Sequence, residues 1–296
     1  YVAYTAPHWP LHALEEDIQK YLGTYALGWD ELRDRRYQRM IDMGLIDENW
    51  QLSPRDPEAP AWRDVKDKKL MDRKMAVYAA QIDHMDRGVG QILEALKKQG
   101  MAENTLVMFL SDNGACHEGG ALGFDRRNNG APIGGVDSYA SYGKSWSNAG
   151  NTPFRMHKHW VHEGGIATPL IVRWPDTVRE SGSLTNQVGH IVDIMATCCD
   201  VAGIEYPSEI AGRSITPVQG KSLLPILNSQ IRDGHEYLFW EHQGNKAVRW
   251  GDWKLVSKNR GVWELYNLVE DRTELNNLSV QRSDVADSLK QAWQRW

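Results

Sequence analysis

The feature that most constrains the fold is a long apolar helical stripe that leads into a short, wholly apolar run. Between residues 71 and 99, apolar side chains recur every three or four positions, which is typical of one face of an α-helix. Gly100 then supplies a C-cap, and residues 105–110 have the continuous apolar character of a strand buried on both faces. A helix that feeds such a strand predicts an α/β architecture.

The rest of this first part of the chain predicts more strands and long connections. Residues 1–5 indicate a buried strand that ends in a proline-framed loop carrying His8. Residues 15–50 are charged and helix-prone, and we expect them to wrap the surface. A glycine- and asparagine-rich stretch at 114–150 predicts a large functional loop, and residues 169–174 predict another strand.

The C-terminal part of the chain has a different pattern. Residues 191–202 predict an apolar helix that ends at Gly203, and residues 223–227 end the first domain. Further on, four short aromatic-rich runs separated by Gly, Asn and Asp predict an antiparallel meander, and residues 284–296 predict a closing helix. We therefore expect one domain at 1–228 and a small α+β subdomain at 229–296.

Composition limits the partners more than it limits the fold. The 296 residues carry a formal net charge of −5, which provides no broad cationic field, so nucleic acid is not an expected partner. No run approaches the roughly 20 apolar residues that cross a bilayer, so no membrane span is expected. Cys116, Cys198 and Cys199 leave at least one thiol unpaired, and we expect these thiols to be buried.

Asp112 and Asn113 form the first candidate site, because they follow the predicted strand at 105–110. The end of a buried strand is the edge at which open α/β sheets place ligands. Carboxylate and carboxamide oxygens are the donors that Ca²⁺ or Mg²⁺ prefers. The same Ser-Asp-Asn-Gly sequence is also good turn chemistry, so a plain turn is the alternative.

Lys158 and His8 are the other candidates. Lys158 opens a segment that contains Glu163-Gly164-Gly165, where a lysine could present a point charge to an anion and paired glycines let backbone approach closely. His8 is able to donate to an ester oxygen or to protonate a leaving group. A solvated lysine and a structural histidine are the alternatives.

Taken together, these stretches resemble the type I sulfatases of the alkaline phosphatase superfamily, and they occur in that family's order and spacing. The matching stretches are Ala6-Pro7-His8-Trp9-Pro10, Ile82-Asp83-His84-Met85-Asp86, residues 109–114 and residues 158–175, followed by C-terminal motifs at 190–195, 219–224, 253–268 and 274–278. The resemblance covers nearly the whole chain. It implies part of a doubly wound mixed sheet flanked by helices, the C-terminal part of a catalytic domain, and a small C-terminal antiparallel sheet with a closing helix.

The resemblance also implies roles for individual residues. Asp112 and Asn113 would be two ligands of the active-site cation, usually Ca²⁺, with Mg²⁺ as the alternative. His8 and Lys158 would be catalytic and substrate-binding residues that contact the sulfate and its bridging oxygen. His117 matches no family role and is a candidate substrate contact in the cleft.

Two departures from the family pattern stand out. Ala167 occupies a position where family members often carry arginine. The family makes its formylglycine nucleophile within C-x-P-S-R or S-x-P-S-R, and neither motif occurs in these 296 residues. We therefore expect formylglycine only in an upstream segment, no turnover by this chain alone, and self-association through surfaces that truncation exposes.

Hydrolysis of sulfate esters by a sulfuric ester hydrolase is the function that the resemblance implies. Carbohydrate sulfates are favoured slightly, since 13 tryptophans would suit stacking on sugar rings. One alternative is a phosphate or phosphonate ester hydrolase of the same superfamily, and another is a non-catalytic remnant that binds sulfated glycans. A periplasmic or secreted location is implied by the resemblance alone.

Overall fold

The computed structural model describes residues 1–127 and 129–296 and shows a mixed α/β chain. The helices are α1 Glu15–Gln19, α2 Gly28–Asp42, α3 Lys68–Lys98, α4 Gly143–Gly150, α5 Glu163–Ile166, α6 Asp193–Ala202, α7 Leu224–Leu227 and α8 Ser283–Arg295. The strands are β1 Val107–Leu110, β2 Leu170–Arg173, β3 Glu209–Ile210, β4 Arg213–Ser214, β5 Tyr237–His242, β6 Asn245–Trp250, β7 Trp253–Ser257 and β8 Trp263–Asn267. The predicted fold class, α/β with a small C-terminal antiparallel sheet and a closing helix, is confirmed.

The apolar helical stripe at residues 71–99 belongs to α3. Gly100 ends it with φ +68°, a left-handed conformation that costs glycine little. The amide of Gly100 donates to the Lys97 carbonyl at 3.0 Å, and the amide of Met101 donates to the Leu96 carbonyl at 2.9 Å. These two bonds satisfy carbonyls that a helix end leaves unpaired, so the predicted C-cap is confirmed.

Two compact units make up the chain, and neither is continuous in sequence. The larger unit contains Tyr1–Leu93, Asn113–Thr168 and Phe239–Trp296, and the smaller unit contains Glu94–Asp112 and Pro169–Leu238. The limits of these units differ from the predicted division at residue 228. Inside the larger unit, Val161 shares an apolar cluster with Val256 of β7, so the C-terminal strands pack on a loop from the middle of the chain.

The core of the larger unit uses segments that were expected to lie on the surface. Trp29 of α2 and Trp146 of α4 are buried and meet edge to face, with ring centroids 5.2 Å apart. Their indole N–H groups donate to the carbonyls of Pro60 and Met71, at 2.9 and 3.0 Å. The prediction of surface wrapping at 15–50 therefore holds for most of the segment, which is exposed or half-buried, but it is wrong for Trp29, which α2 inserts into the core.

A helix also interrupts the stretch that was predicted as one large loop. Seven of the eight residues of α4 are buried, and α4 packs against α2. Glycine and serine are poor helix formers in isolation. Burial of Trp146 outweighs that preference, which is why composition alone misidentified residues 114–150.

The C-terminal sheet has the strand order β5-β6-β7-β8, as the meander prediction required. β7 pairs antiparallel with β6 and β8, so that Leu255 lies opposite Val248 on one side and Leu265 on the other. These three side chains are fully buried. α8 packs against β6 and β7, and its buried Leu289 closes one face of the sheet.

In the smaller unit β1 pairs with β2, and the pairing is antiparallel. Phe109 is 42% exposed and Ile171 is 62% exposed, so the prediction of a strand buried on both faces is wrong for β1. Within the described residues β2 is the only strand partner of β1. A two-stranded ribbon has too few neighbours to cover both of its faces.

Buried Asp193 at the start of α6 organises the remainder of the smaller unit. Its carboxylate accepts hydrogen bonds from Arg232 Nη2 at 2.8 Å, His235 Nε2 at 2.6 Å and the amide of Lys221 at 2.8 Å. Burial raises the pKa of this carboxyl, but the hydrogen bonds from these donors outweigh burial and lower it. The helix therefore buries a charged residue that is fully satisfied.

Two local predictions fail where side chains are exposed. Residues 1–5 are exposed and form no strand among the described residues, since no partner strand pairs with them. Cys198 is exposed and Cys116 and Cys199 are half-buried, so the thiols are not buried as predicted. In α6 the buried positions go to Asp193 and Thr197 instead. None of the described helices has the length and apolar character that crossing a membrane requires.

Candidate functional site

Lys158 lies in a loop with an unusual backbone. Met156 has φ +66° and His159 has φ +92°, so residues on both sides of Lys158 adopt the left-handed region that side chains disfavour. Such conformations cost on the order of 1 to 3 kcal/mol each and persist only where surrounding contacts hold them. The contacts that hold this loop therefore determine where the Lys158 ammonium lies.

Asn151 supplies several of these contacts through one side chain. Its Oδ1 accepts a hydrogen bond from the amide of Ala115 at 2.8 Å. Its Nδ2 donates to the carbonyls of Met156 at 2.8 Å and Gly164 at 2.7 Å. The amide of Lys158 then donates to the Ala115 carbonyl at 3.1 Å. The Lys158 loop is thus bonded directly to the segment that follows Asn113.

The paired glycines allow these segments to lie very close together. A Cβ added to Gly165 would lie 1.8 Å from the Trp160 carbonyl oxygen, and one added to Gly164 would lie 2.1 Å from the Arg155 carbonyl oxygen. A Cβ on Gly114 would lie 1.8 Å from the Gly164 carbonyl oxygen. The close backbone approach predicted for the glycines is therefore present, and it is made to the protein's own backbone.

His8 and Lys158 are brought together across 150 positions of sequence. His8 Nδ1 is 2.7 Å from the Trp9 carbonyl oxygen, which can only accept, so this nitrogen carries the proton. His8 Nε2 therefore has the lone pair, and Lys158 Nζ donates to it at 2.9 Å. Lys158 Nζ also lies 3.3 Å from a carboxylate oxygen of Glu118.

Glu118 and Cys116 also belong to this cluster, although the sequence did not identify them as site residues. Trp9 Nε1 donates to Glu118 Oε2 at 2.8 Å, and the Cys116 thiol donates to the same oxygen. Burial raises the pKa of Glu118, but hydrogen bonds from Cys116 and Trp9 and the charge of Lys158 lower it to about 2. Burial and the Glu118 contact raise the pKa of the Cys116 thiol to about 11. One sequence signal could have identified Cys116 and Glu118, because both follow closely after the candidate ligands Asp112 and Asn113.

The boundary between two segments of the chain falls between Asp112 and Asn113. Asp112 is exposed and ends a segment of the smaller unit, whereas half-buried Asn113 begins a segment of the larger unit. Oxygen donors of these two types suit a hard cation such as Ca²⁺. Their convergence with His8 and Lys158 on a single ligand remains a prediction.

His117 is packed within a group of aromatic rings. Its ring centroid lies 5.6 Å from that of His157 and 4.7 Å from that of Trp160. Burial, followed by the nearby His157, lowers the pKa of His117 to about 4, so this imidazole is neutral at pH 7. Its predicted contact with substrate remains a prediction.

A buried ion cluster lies at the other end of the same loop. Lys254 Nζ is 2.6 Å from Glu163 Oε1 and 2.9 Å from Glu274 Oε1, and Arg272 also pairs with Glu163. The amide of Glu163 donates to Glu274 Oε2 at 2.9 Å. Burial lowers the pKa of Lys254, as expected for an ammonium removed from water. The cluster joins three sequence motifs, around residues 163, 254 and 274, which sequence analysis matched to the family without predicting that they meet.

Glu264 of β8 forms a second anchor for the loop. Its Oε2 accepts hydrogen bonds from Arg155 Nη2 at 2.6 Å and the Tyr266 hydroxyl at 2.8 Å, and His162 Nε2 lies 3.3 Å away. Burial raises the pKa of Glu264, but the bonds from His162 and Tyr266 and the Arg155 charge lower it to about 2. The C-terminal sheet thereby fixes both ends of the segment that carries Lys158.

Family models and relatives of known family identify the family of this chain. The model described as Sulfatase matches residues 1–204, and the model described as N-sulphoglucosamine sulphohydrolase, C-terminal, matches residues 154–295. An uncharacterised sulfatase of Schizosaccharomyces pombe is 33% identical over 99% of this chain and 56% of its own length. The arylsulfatase of Klebsiella aerogenes is 32% identical over 78% of this chain and 52% of its own length.

A solved structure has the same fold over the whole chain. The crystal structure of Ps i-CgsB in complex with k-i-k-neocarrahexaose superposes with a TM-score of 0.64 at 22% identity, covering 100% of this chain and 49% of that one. The chain spans about half the length of the curated relatives it matches. It belongs to the sulfatase family, as a type I sulfatase of the alkaline phosphatase superfamily.

Proposed function

We propose that the protein acts in the hydrolysis of sulfate esters, with His8 and Lys158 as the groups that contact the ester. The observation that carries this proposal is the 2.9 Å approach of Lys158 Nζ to His8 Nε2 in a chain of the sulfatase family. An ammonium at this point stabilises negative charge on a sulfuryl group in transfer. His8 would deliver a proton to the departing alkoxide or phenoxide oxygen through Nε2, after taking that proton from the Lys158 ammonium that donates to this nitrogen.

Asp112 and Asn113 are proposed to hold a divalent cation, with Ca²⁺ preferred over Mg²⁺. Their donor chemistry fits, because both supply oxygen and the Asp112 carboxylate is exposed. Ca²⁺ takes about six to eight oxygen ligands, so two residues form only part of its shell. When bound, the cation would polarise a sulfate oxygen and add to the positive charge that Lys158 supplies.

A carbohydrate sulfate is the proposed substrate class. Trp9 adjoins His8, with ring centroids 5.1 Å apart, and the Arg126 guanidinium lies 5.2 Å from the Trp9 ring centroid. Phe124 and Tyr139 pack against the same tryptophan. An aromatic platform with an exposed arginine suits a sugar ring that carries anionic groups. The family model for N-sulphoglucosamine sulphohydrolase and the complex of Ps i-CgsB with k-i-k-neocarrahexaose support the same class.

The nucleophile is the missing part of this proposal. No C-x-P-S-R or S-x-P-S-R motif occurs in the 296 residues, so we propose that they do not turn over a sulfate ester by themselves. Purified chain is incubated with 4-nitrophenyl sulfate, with and without Ca²⁺, and release of nitrophenolate is followed. We expect the rate of the buffer control, and metal-dependent release would contradict this part of the proposal.

Ligand binding tests the reaction class without requiring turnover. Calorimetry in the presence of Ca²⁺ compares N-acetylglucosamine 6-sulfate, the corresponding 6-phosphate and the unsubstituted sugar. We expect the sulfate ester to bind most tightly and the unsubstituted sugar least. Preference for the 6-phosphate would instead favour a phosphate ester hydrolase of the same superfamily.

A further inference from the structure

Three side chains that ligate transition metals meet beside Lys158. The candidate ligand atoms of His8, Cys116 and Glu118 all lie within 4.8 Å of one another. This is the only such group of three or more found in residues 1–127 and 129–296. It provides one nitrogen, one sulfur and one oxygen, a combination that differs from the all-oxygen set offered by Asp112 and Asn113.

The cluster already surrounds a positive charge. The Lys158 ammonium lies 2.9 Å from His8 Nε2 and 3.3 Å from Glu118 Oε1. Glu118 is also fixed by the Trp9 indole, and the backbone of Ala115, next to Cys116, is bonded to Asn151 and Lys158. The donors are therefore held close together around a cation before any metal arrives.

We propose that His8, Cys116 and Glu118 form a Zn²⁺ site that is separate from the proposed Ca²⁺ site. Imidazole, thiolate and carboxylate are all zinc ligands, and three protein ligands leave the fourth tetrahedral position open for water. His8 presents the lone pair of Nε2, because its Nδ1 proton is directed to the Trp9 carbonyl. Cys116 loses its thiol proton to solvent when the sulfur–zinc bond forms, and Glu118 binds as the carboxylate.

Zinc and the Lys158 ammonium exclude each other in this site. Both would occupy the space between His8 Nε2 and the Glu118 carboxylate, and like charges at such separation repel. Zinc binding therefore displaces Lys158 and takes the lone pair of His8. The consequence for activity rests on the proposed function, in which these two residues contact the ester: Zn²⁺ would inhibit ester binding. The metal site itself does not depend on that function.

Titration with Co²⁺ as a spectroscopic probe for Zn²⁺ tests the site directly. We expect thiolate-to-Co²⁺ charge-transfer absorption in the near ultraviolet, intense tetrahedral d–d bands, and loss of both when Zn²⁺ is added. Ca²⁺ is expected to leave the bands unchanged. Absence of the thiolate band from the wild-type chain, or its displacement by Ca²⁺, would overturn the proposal.

Matched variants assign the ligands. C116A is expected to abolish the charge-transfer band, whereas C198A, which removes an exposed thiol elsewhere, retains it. H8A and E118Q are expected to weaken Co²⁺ affinity by at least about tenfold, with H84A as the histidine control. Because E118Q keeps the shape of the side chain, it remains informative if C116A folds poorly. A band that survives in folded C116A, or affinity unchanged in both H8A and E118Q, contradicts the ligand set.

Competition by lysine is tested with K158M, which removes the ammonium. Since one resident positive charge no longer has to leave, Co²⁺ affinity should rise by about tenfold. Zn²⁺ should also weaken the binding of N-acetylglucosamine 6-sulfate to the wild-type chain. If the metal binds without any effect on ester binding, the metal site stands and the proposed function is rejected. If K158M binds Co²⁺ with unchanged affinity, competition between the metal and the Lys158 ammonium is rejected.

Discussion

Two lysine–glutamate pairs at opposite ends of one loop have different surroundings. Lys254 pairs with Glu163 at 2.6 Å, and its side chain is 0% exposed. Lys158 pairs with Glu118 at 3.3 Å, and its side chain is 29% exposed. The first ammonium has two carboxylate partners and no access to water, whereas the second has a neutral imidazole, a carboxylate and open solvent.

The difference separates a role in stability from a role in binding. Water cannot take the place of a missing partner in a buried cluster, so removal of one member leaves charge poorly compensated in a low-dielectric environment. A partly exposed pair contributes little to stability, because water and salt screen it. Its ammonium is therefore able to leave Glu118 and His8 for an anionic ligand at small cost. The buried cluster holds the loop, and the open cluster is the one that we propose contacts the ligand.

The largest expected effect comes from breaking the buried cluster. K254M removes the cation that Glu163 and Glu274 share. Glu163 keeps Arg272, but Glu274 loses its ion-pair partner, and we expect a loss of about 3 to 5 kcal/mol in the free energy of unfolding. Urea denaturation followed by tryptophan fluorescence measures this loss. K290M, at an exposed position of α8, is the control and should change the stability by less than about 0.5 kcal/mol. Equal effects of the two variants would contradict a structural role for Lys254.

Acid should weaken the second anchor of the loop. The pKa of Glu264 is lowered from 4.5 to about 2, so its stabilising contribution is present above pH 4.5 and is lost as the pH falls towards 2. The full contribution is roughly 3 kcal/mol at most, for a side chain that is 19% exposed. Urea midpoints measured between pH 5 and pH 2.5 should fall more steeply for the wild type than for E264Q. E94Q, in an exposed pair, serves as the control, and parallel curves for wild type and E264Q would refute the anchor.

Crowding of the loop backbone at Gly165 should lower the free energy of unfolding by less than the loss of Lys254 does. G165A places a Cβ 1.8 Å from the Trp160 carbonyl oxygen, which forces the backbone to shift and costs about 1 to 3 kcal/mol. A Cβ at Gly90 of α3 meets nothing within 4 Å apart from the neighbouring backbone of its own helix, so G90A should be neutral or slightly stabilising, because alanine favours a helix. Urea midpoints of the two variants make the comparison. A neutral G165A would show that the close approach is not needed.

The smallest effect on stability is expected at the open cluster. K158M removes only a partly exposed pair, so the free energy of unfolding should change by less than about 1 kcal/mol. The measurement is again urea denaturation, alongside K254M. A loss as large as that of K254M would place Lys158 with the buried cluster and remove the distinction between the two pairs.

Elements whose structure depends on a local sequence pattern are the ones that the sequence predicts correctly. The stripe of α3 and its Gly100 cap, the β5–β8 meander and the closing helix α8 depend on periodicity and turn chemistry within short windows. The family resemblance implies that His8 and Lys158 contact one sulfate ester, and in the structure their side chains contact each other. Their catalytic roles remain predictions.

The failures concern properties that depend on distant residues. Whether β1 is covered, or whether Trp146 draws α4 out of a glycine-rich stretch, depends on what packs against each segment. Cys116 and Glu118 were passed over because their contacts with Trp9 and Lys158 join positions far apart in the chain. The Lys254–Glu163–Glu274 cluster likewise joins three separate motifs, and each appears in isolation as an ordinary charged residue.

Binding of a sulfate ester to wild-type and K158M chains tests the division between the two clusters most directly. Calorimetry with N-acetylglucosamine 6-sulfate in the presence of Ca²⁺ is paired with urea denaturation of the same samples. We predict that K158M binds the ester at least about tenfold more weakly while its stability stays within about 1 kcal/mol of wild type. Wild-type affinity in K158M, with the fold intact, would contradict the assignment of Lys158 as the anion-binding group.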